Sequence, residues 1–273
     1  MKMQNKHLLT FLFLFISTLS FSQKISIGEI YECRSTSDDN SYDNKCEIGL
    51  KISGDEVRKY KFVKISSITK ATDDQDLDLL KEDAYKDFEY EQIEEVANLK
   101  FETKVPSHKA TFFKELSGEI SLYNPSEANG SIIKVSNYQT KTNTNLLPNT
   151  AGLQIMYLTK QSMEKYTKEH KEQLESNPNT AEGLIKAFEE FSDYAGDPNQ
   201  AIFYIEGDQT KLTNFYFEDA KGEKIDNSGS RFNNIFSFDL KEKPNPTWKL
   251  VIVIETETSV KKVPFKLVNI ELP

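Results

Sequence analysis

Hydrophobic residues along this chain recur mostly at every second position, the period of a half-buried β-strand. Ile25, Ile27 and Ile30 open the pattern in a strand predicted over 24–33. Ile48, Leu50 and Ile52 alternate with polar neighbours over 47–53, and Gly54-Asp55 then predicts a turn. Tyr60, Phe62 and the run 63–68 form another β-rich stretch. Leu99 and Phe101 alternate within 96–105. The stretch 110–123 carries Phe112, Phe113, Leu116, Ile120 and Leu122, with Gly118 predicted as a bulge or bend. Asn124-Pro125 and Asn129-Gly130 are turn signals, and Ile132, Ile133 and Val135 begin the next strand.

The period changes in the middle of the chain. Met163, Tyr166, His170 and Leu174 stand three and four apart within 159–175, the spacing of one helix face. Asn177-Pro178 interrupts that face. Asn179 and Thr180 can cap a second helix, with Glu182 placed for a capping box and Leu184, Ile185, Phe188 and Phe191 as its apolar stripe. Gly196-Asp197-Pro198 ends it. The pattern therefore predicts a helical hairpin near 160–195, whose apolar stripes need a sheet or each other for cover.

Strand patterning then returns. The stretches 201–206 and 212–218 are aromatic and β-branched, and Asp219-Ala220-Lys221-Gly222 predicts a hairpin turn before 223–225. Phe232, Phe236, Phe238 and Leu240 come after Asn227-Ser228-Gly229-Ser230. The run 250–254 is continuously apolar, and Val263, Phe265 and Leu267 alternate in a final strand. Pro264 has no amide hydrogen, so that strand is expected at an edge or to begin there. Many short strands without regular helix alternation predict a mainly β chain of one or two sandwiches. A soft division near 126–130 gives an N-terminal β-sandwich domain over 23–128. A C-terminal β-sandwich domain over 129–273 then carries the helical insertion at 160–195.

The first residues read as an export signal. Lys2 and Lys6 precede an uncharged run over 8–19 rich in Leu, Phe and Ile. Ser20-Phe21-Ser22 then supplies small residues two apart, and cleavage is expected after Ser22. A spanning helix needs roughly 20 apolar residues, more than this run offers, and no later run is long enough. Export to the periplasm, the outer surface or the medium is therefore expected, with no transmembrane segment after cleavage. No cysteine stands at the cleavage point for lipid attachment.

The formal charge of −9, two units more negative once Lys2 and Lys6 are removed, argues against nucleic acid and against anionic lipid as partners. The chain has two cysteines, Cys33 and Cys46, flanking an all-polar stretch. Outside the cytoplasm that spacing predicts a disulfide clipping the base of a loop between two strands. Closing so short a loop would add roughly 2–3 kcal/mol. The spacing does not suit a redox pair, which uses Cys-x-x-Cys.

Chemistry is sparse. In Asp73-Asp74-Gln75-Asp76-Leu77-Asp78, the residues Asp74, Asp76 and Asp78 alternate as calcium ligands do in an EF-hand loop. Leu79 stands where that loop needs glycine and Tyr85 where it needs glutamate, and the competing reading is a solvated loop with its leucines turned inward. Calcium is the one cofactor this pattern suggests, and the acidic stretch 38–44 is a weaker candidate for it. Ser107-His108 could form a nucleophile and base, but nothing places a third group. No Gly-x-Ser-x-Gly, His-Glu-x-x-His or Walker loop is present. Tyr194, Phe203, Tyr204, Phe215, Tyr216 and Phe217 could line a sugar-binding face, although alternating aromatics in a sandwich more often fill its core.

Three stretches carry a resemblance. They are Ile68-Thr69-Lys70-Ala71-Thr72-Asp73-Asp74 with Asp78-Leu79-Leu80, Val263-Pro264-Phe265-Lys266-Leu267, and Asp219-Ala220-Lys221-Gly222. Together they resemble uncharacterised exported immunoglobulin-like β-sandwich proteins of Gram-negative bacteria. The resemblance covers about a third of the chain. It implies an immunoglobulin-like sandwich and export, and no catalytic residue.

The leading functional expectation is a non-catalytic binding or interaction protein of the periplasm or cell surface, its partner a protein, an envelope component or a glycan. The alternatives are a glycan-active hydrolase using paired Asp or Glu, and a calcium-stabilised adhesion module.

Overall fold

The computed structural model of the protein describes residues 23–34, 44–81, 88–142, 144–147, 152–169, 197–232 and 234–273. The predicted signal peptide over 1–22 lies outside them. So do most of the polar loop between the cysteines, Tyr85, the end of the first predicted helix with His170, and the second predicted helix with Tyr194. Fourteen strands and one α-helix are described. They run β1 (Lys24–Cys33), β2 (Lys45–Ser53), β3 (Phe62–Asp73), β4 (Glu91–Gln92), β5 (Ala97–Thr103), β6 (Phe112–Tyr123), β7 (Ile132–Ser136) and β8 (Leu153–Leu158). Helix α1 (Lys160–Glu169) follows, then β9 (Gln200–Gly207), β10 (Leu212–Glu218), β11 (Asn227–Phe232), β12 (Ile235–Leu240), β13 (Lys249–Ile254) and β14 (Val260–Glu271). The protein is mainly β, and every pairing between the described strands is antiparallel.

The chain forms two compact units. The first holds the described residues up to Asn124 together with Val260–Pro273. Its strands make two sheets, β1-β2-β5 and β14-β6-β3-β4. Period-two patterning sets their faces: Ala97, Leu99, Phe101 and Thr103 of β5 are buried while Asn98 and Lys100 between them are exposed. Ile48, Leu50 and Leu99 from one sheet and Ile65, Leu116, Ile120 and Phe265 from the other share one core, which fits a β-sandwich. Among the described strands β14 pairs with β6 alone, which places Pro264 on an edge strand of that sheet.

At the centre of β6 the sheet is tight. Gly118 faces Phe265 of β14 and Ile68 of β3, and β3 shifts register on both sides of that point. A Cβ on Gly118 would stand 2.3 Å from the Ser67 carbonyl oxygen. The bulge expected from Gly118 is thus carried by the partner strand β3.

The second unit is Pro125–Ser259. It has the sheets β10-β13-β7 and β11-β12-β9-β8 around an aromatic core. Phe203 packs edge-on against Phe215 at 4.8 Å between centroids, and Phe217 against Phe238 at 5.1 Å. β13 is a central strand buried on both faces, which explains why its sequence is continuously apolar. Tyr138 is fully buried among Tyr157, Phe203 and Phe217. Burial holds its phenol far above the ordinary tyrosine range. Helix α1 begins as the spacing predicted. Ser162 donates its amide to Thr159 Oγ1 at 3.2 Å, Thr159 donates its amide to Ser162 Oγ at 2.6 Å, and Met163 is buried. No helix among the described residues is long and apolar enough to cross a membrane.

The expected division placed everything after 128 in one domain. Instead the last strand returns to the first unit, because Val263 and Phe265 complete the core between its sheets. Val260 faces Tyr123 across the β6–β14 ladder, so the second unit is inserted at the turn of what would otherwise be a hairpin. Replacing 124–259 with an Asn-Gly turn should leave a folded protein, since that dipeptide closes a two-residue hairpin. A dispersed amide spectrum and a cooperative melt are expected. A disordered product would show that the first unit depends on its insertion.

Candidate binding surface

The acidic run at the end of β3 is a structural turn. Asp73 is fully buried, and its carboxylate accepts the amides of Gln75 at 3.0 Å, Leu77 at 2.9 Å and Ser107 at 2.8 Å. The expected calcium ligands each face a different partner. Asp74 accepts from the Thr111 hydroxyl at 2.8 Å, Asp76 meets Lys114 at 2.5 Å, and Asp78 accepts the Leu80 amide at 3.0 Å. Asp76 has a left-handed backbone with φ 61°. Among the described residues no group of three or more His, Cys, Asp or Glu side chains gathers as a metal site would need. The calcium reading is therefore corrected: the alternate spacing belongs to a tight return in which each carboxylate holds a neighbouring turn or strand. Leu79 is buried, as the competing reading expected, while Leu77 is exposed.

The disulfide is also corrected: both thiols are free. Cys33 faces Lys45 across the β1–β2 ladder, and Cys46 faces Glu32. This offset of one register step sends the two side chains to opposite faces of the sheet. Cys46 is fully buried in the core, where desolvation pushes its thiol up to about 11. An intact-mass measurement without reductant should therefore show two thiols, with Cys46 alkylated only on unfolding. A mass two hydrogens lower would mean that β1 pairs with β2 in another register.

Ser107 is engaged with Asp73 through its amide and accepts the Lys109 amide at 3.3 Å, and His108 is exposed. The sugar-face aromatics are mostly internal: Phe203, Phe215 and Phe217 belong to the core, and Tyr204 is buried. Tyr216 is half-buried, with the Lys224 ammonium 5.2 Å over its ring.

In the first unit, a cleft of about 170 Å³ opens beside β4 and β5, lined by Ile65, Phe88, Tyr90 and Leu99 together with Glu89, Glu91 and Lys100. It is about half the lower size limit of ordinary small-molecule pockets.

The second unit offers a larger feature that the sequence pattern did not announce. β11 pairs along its whole length with β12, from Asn227 opposite Leu240 to Phe232 opposite Ile235. No strand among the described residues pairs with its other side. Ser228, Gly229, Ser230 and Arg231 are all exposed. The strand was not legible because an edge exposed on both faces needs no alternation, and Asn-Ser-Gly-Ser reads as a loop. At its start, Asp226, Asn227, Ser228, Asp239, Leu240 and Lys241 line an open groove of about 380 Å³.

The groove contains two carboxylates, but they are already engaged. Asp226 pairs with the Lys241 ammonium, which lowers its pKa. Asp239 accepts from the Gln200 amide at 2.7 Å. Glycoside hydrolysis needs one carboxyl held protonated by a raised pKa, and the ammonium beside Asp226 acts in the opposite direction. Arg231 contacts the Gln209 carboxamide oxygen on the exposed surface. The arrangement thus presents a shallow polar groove beside a strand that no second described strand pairs.

No family model matches the chain, and neither the curated proteins nor the solved structures contain a significant match to it.

Proposed function

We propose that this chain is an exported, non-catalytic binding protein that works in the periplasm or at the cell surface, with an envelope component as its partner. The observation that carries the reading is the shallow polar groove at the start of β11, a strand that among the described strands pairs with β12 alone. A shallow groove favours contact over the enclosure that chemistry needs. Each β unit is taken as an immunoglobulin-like sandwich, supported by two antiparallel sheets around one core in each. Residues 160–195 are taken as an inserted helical hairpin, supported by the Thr159-capped start of α1. Export rests on the charge and hydropathy pattern of residues 1–22.

The test uses the chain expressed with its leader in a Gram-negative host. The protein should leave the cytoplasm and begin at Gln23. Purified, it should bind isolated envelope material and release no reducing sugar from it. Retention in the cytosol with the leader attached would overturn export. Sugar release that stops in an Asp226→Asn, Asp239→Asn variant would establish the hydrolase instead.

A further inference from the structure

We infer that the cleft beside β4 and β5 binds a small organic cation, a single aromatic ring on a short chain that ends in an ammonium group. The site belongs to the first unit by itself and does not rest on the groove at β11.

The shape of the cleft selects the ring. Period two turns Ile65 of β3 and Leu99 of β5 inward, and these strands lie in different sheets. Both side chains line the cleft, so its floor is the apolar interior between the sheets. Phe88 packs against the same core and forms one wall. Tyr90 forms another, and its ring is held in place. It packs on Tyr123 at 4.7 Å between centroids, and the Lys64 ammonium stands 4.4 Å over it. A wall fixed before the ligand arrives costs little ordering on binding. The cleft measures about 170 Å³. An apolar cavity of about 150 Å³ accepts one benzene ring. Aromatic walls favour a ring in edge or offset contact. A sugar is a poor fit, because its hydroxyl groups would find no partners on Ile65 and Leu99.

The charge at the mouth selects the other end of the ligand. Among the described residues the charged lining is Glu89, Glu91 and Lys100, all three exposed. Lys100 already meets Glu29 at 2.6 Å and Glu47 at 3.0 Å. The sequence around Glu89 and Glu91 is acidic throughout: 82–95 holds seven carboxylates and one lysine. An ammonium group at this mouth is attracted, and a carboxylate is repelled. The contacts are exposed, so salt should weaken them.

The test follows the methyl groups of Ile65 and Leu99 by NMR in the chain from Gln23 to Pro273. The probe is 2-phenylethylammonium chloride. The ring current of the bound phenyl group should shift both sets of methyls, with half-saturation on the order of 1 mM for so small a ligand. Raising the salt to about 0.5 M should weaken binding several-fold. The double variant Glu89→Gln, Glu91→Gln changes exposed side chains only. It should melt as the parent does and bind the probe about fivefold more weakly. 3-Phenylpropionate, which has a similar ring and chain but the opposite charge, should leave the methyls in place at about 10 mM. Four results would overturn the inference. They are no methyl shift at about 10 mM probe, equal shifts with 3-phenylpropionate, undiminished affinity in the double variant, and shifts spread over the surface without saturation.

Discussion

Gly118→Ala should destabilise the first unit by about 3 kcal/mol, the upper end of what overpacking costs. The added methyl would meet the Ser67 carbonyl oxygen at 2.3 Å and the Phe265 ring at 2.9 Å. The first contact is backbone, held in the ladder between β3 and β6, so relief requires the central strands to separate. Gly49→Ala is the control. There the methyl would meet Glu29 Cγ at 2.8 Å, on a flexible side chain that crosses the glycine to reach Lys100 at 2.6 Å. That side chain can swing into solvent at the loss of a surface ion pair, worth less than about 1 kcal/mol. Urea unfolding should separate the two, with the midpoint falling by about 1 M or more for Gly118→Ala and little for Gly49→Ala. Equal midpoints would mean that β3 and β6 do not approach as described.

Asp73→Ala should cost about 2–4 kcal/mol, since hydrogen bonds to a charged group contribute about 1.5–3 kcal/mol each and water can replace part of the loss. The carboxylate joins the turn after β3 to the loop at Ser107 through three amides. Asp73→Asn is the sharper probe. Its oxygen can still serve Gln75 and Leu77, but its NH₂ would face the Ser107 amide, donor against donor. About half of the alanine loss is expected, with the exchange of the Ser107 amide rising first. Full stability in Asp73→Ala would show that the turn is held by the ladder alone. The same alanine scan at Asp74, Asp76 and Asp78, whose partners lie near the surface, should give smaller losses.

Sequence reading did well where one face of a strand is buried. β2 and β5 alternate, and their buried positions are the residues that the alternation selects. The run in β13 is apolar because both its faces are covered, and the helical spacing that includes Met163 marks α1, whose start the structure shows capped by Thr159. Chemistry was read less well. Three alternating aspartates resemble a ligand set in one dimension, but a turn at left-handed Asp76 sends them to separate neighbours. The residue that matters most in that run is Asp73, and only the return of the Ser107 loop reveals why.

What the sequence determined by itself was which face of each strand turns inward, because burial of alternate side chains is a local property of the pleat. It did not determine which strands meet. Val263, Phe265 and Leu267 alternate alike whatever sheet they join, and the ladder with β6 returns them to the first unit across an insertion. One register step between β1 and β2 parts the two thiols, and register is set by the paired strand. β11 is a strand only because β12 holds it, for nothing in Asn-Ser-Gly-Ser-Arg favours extension. Pairing joins residues far apart in the chain, so the partner and the register were decided by tertiary structure.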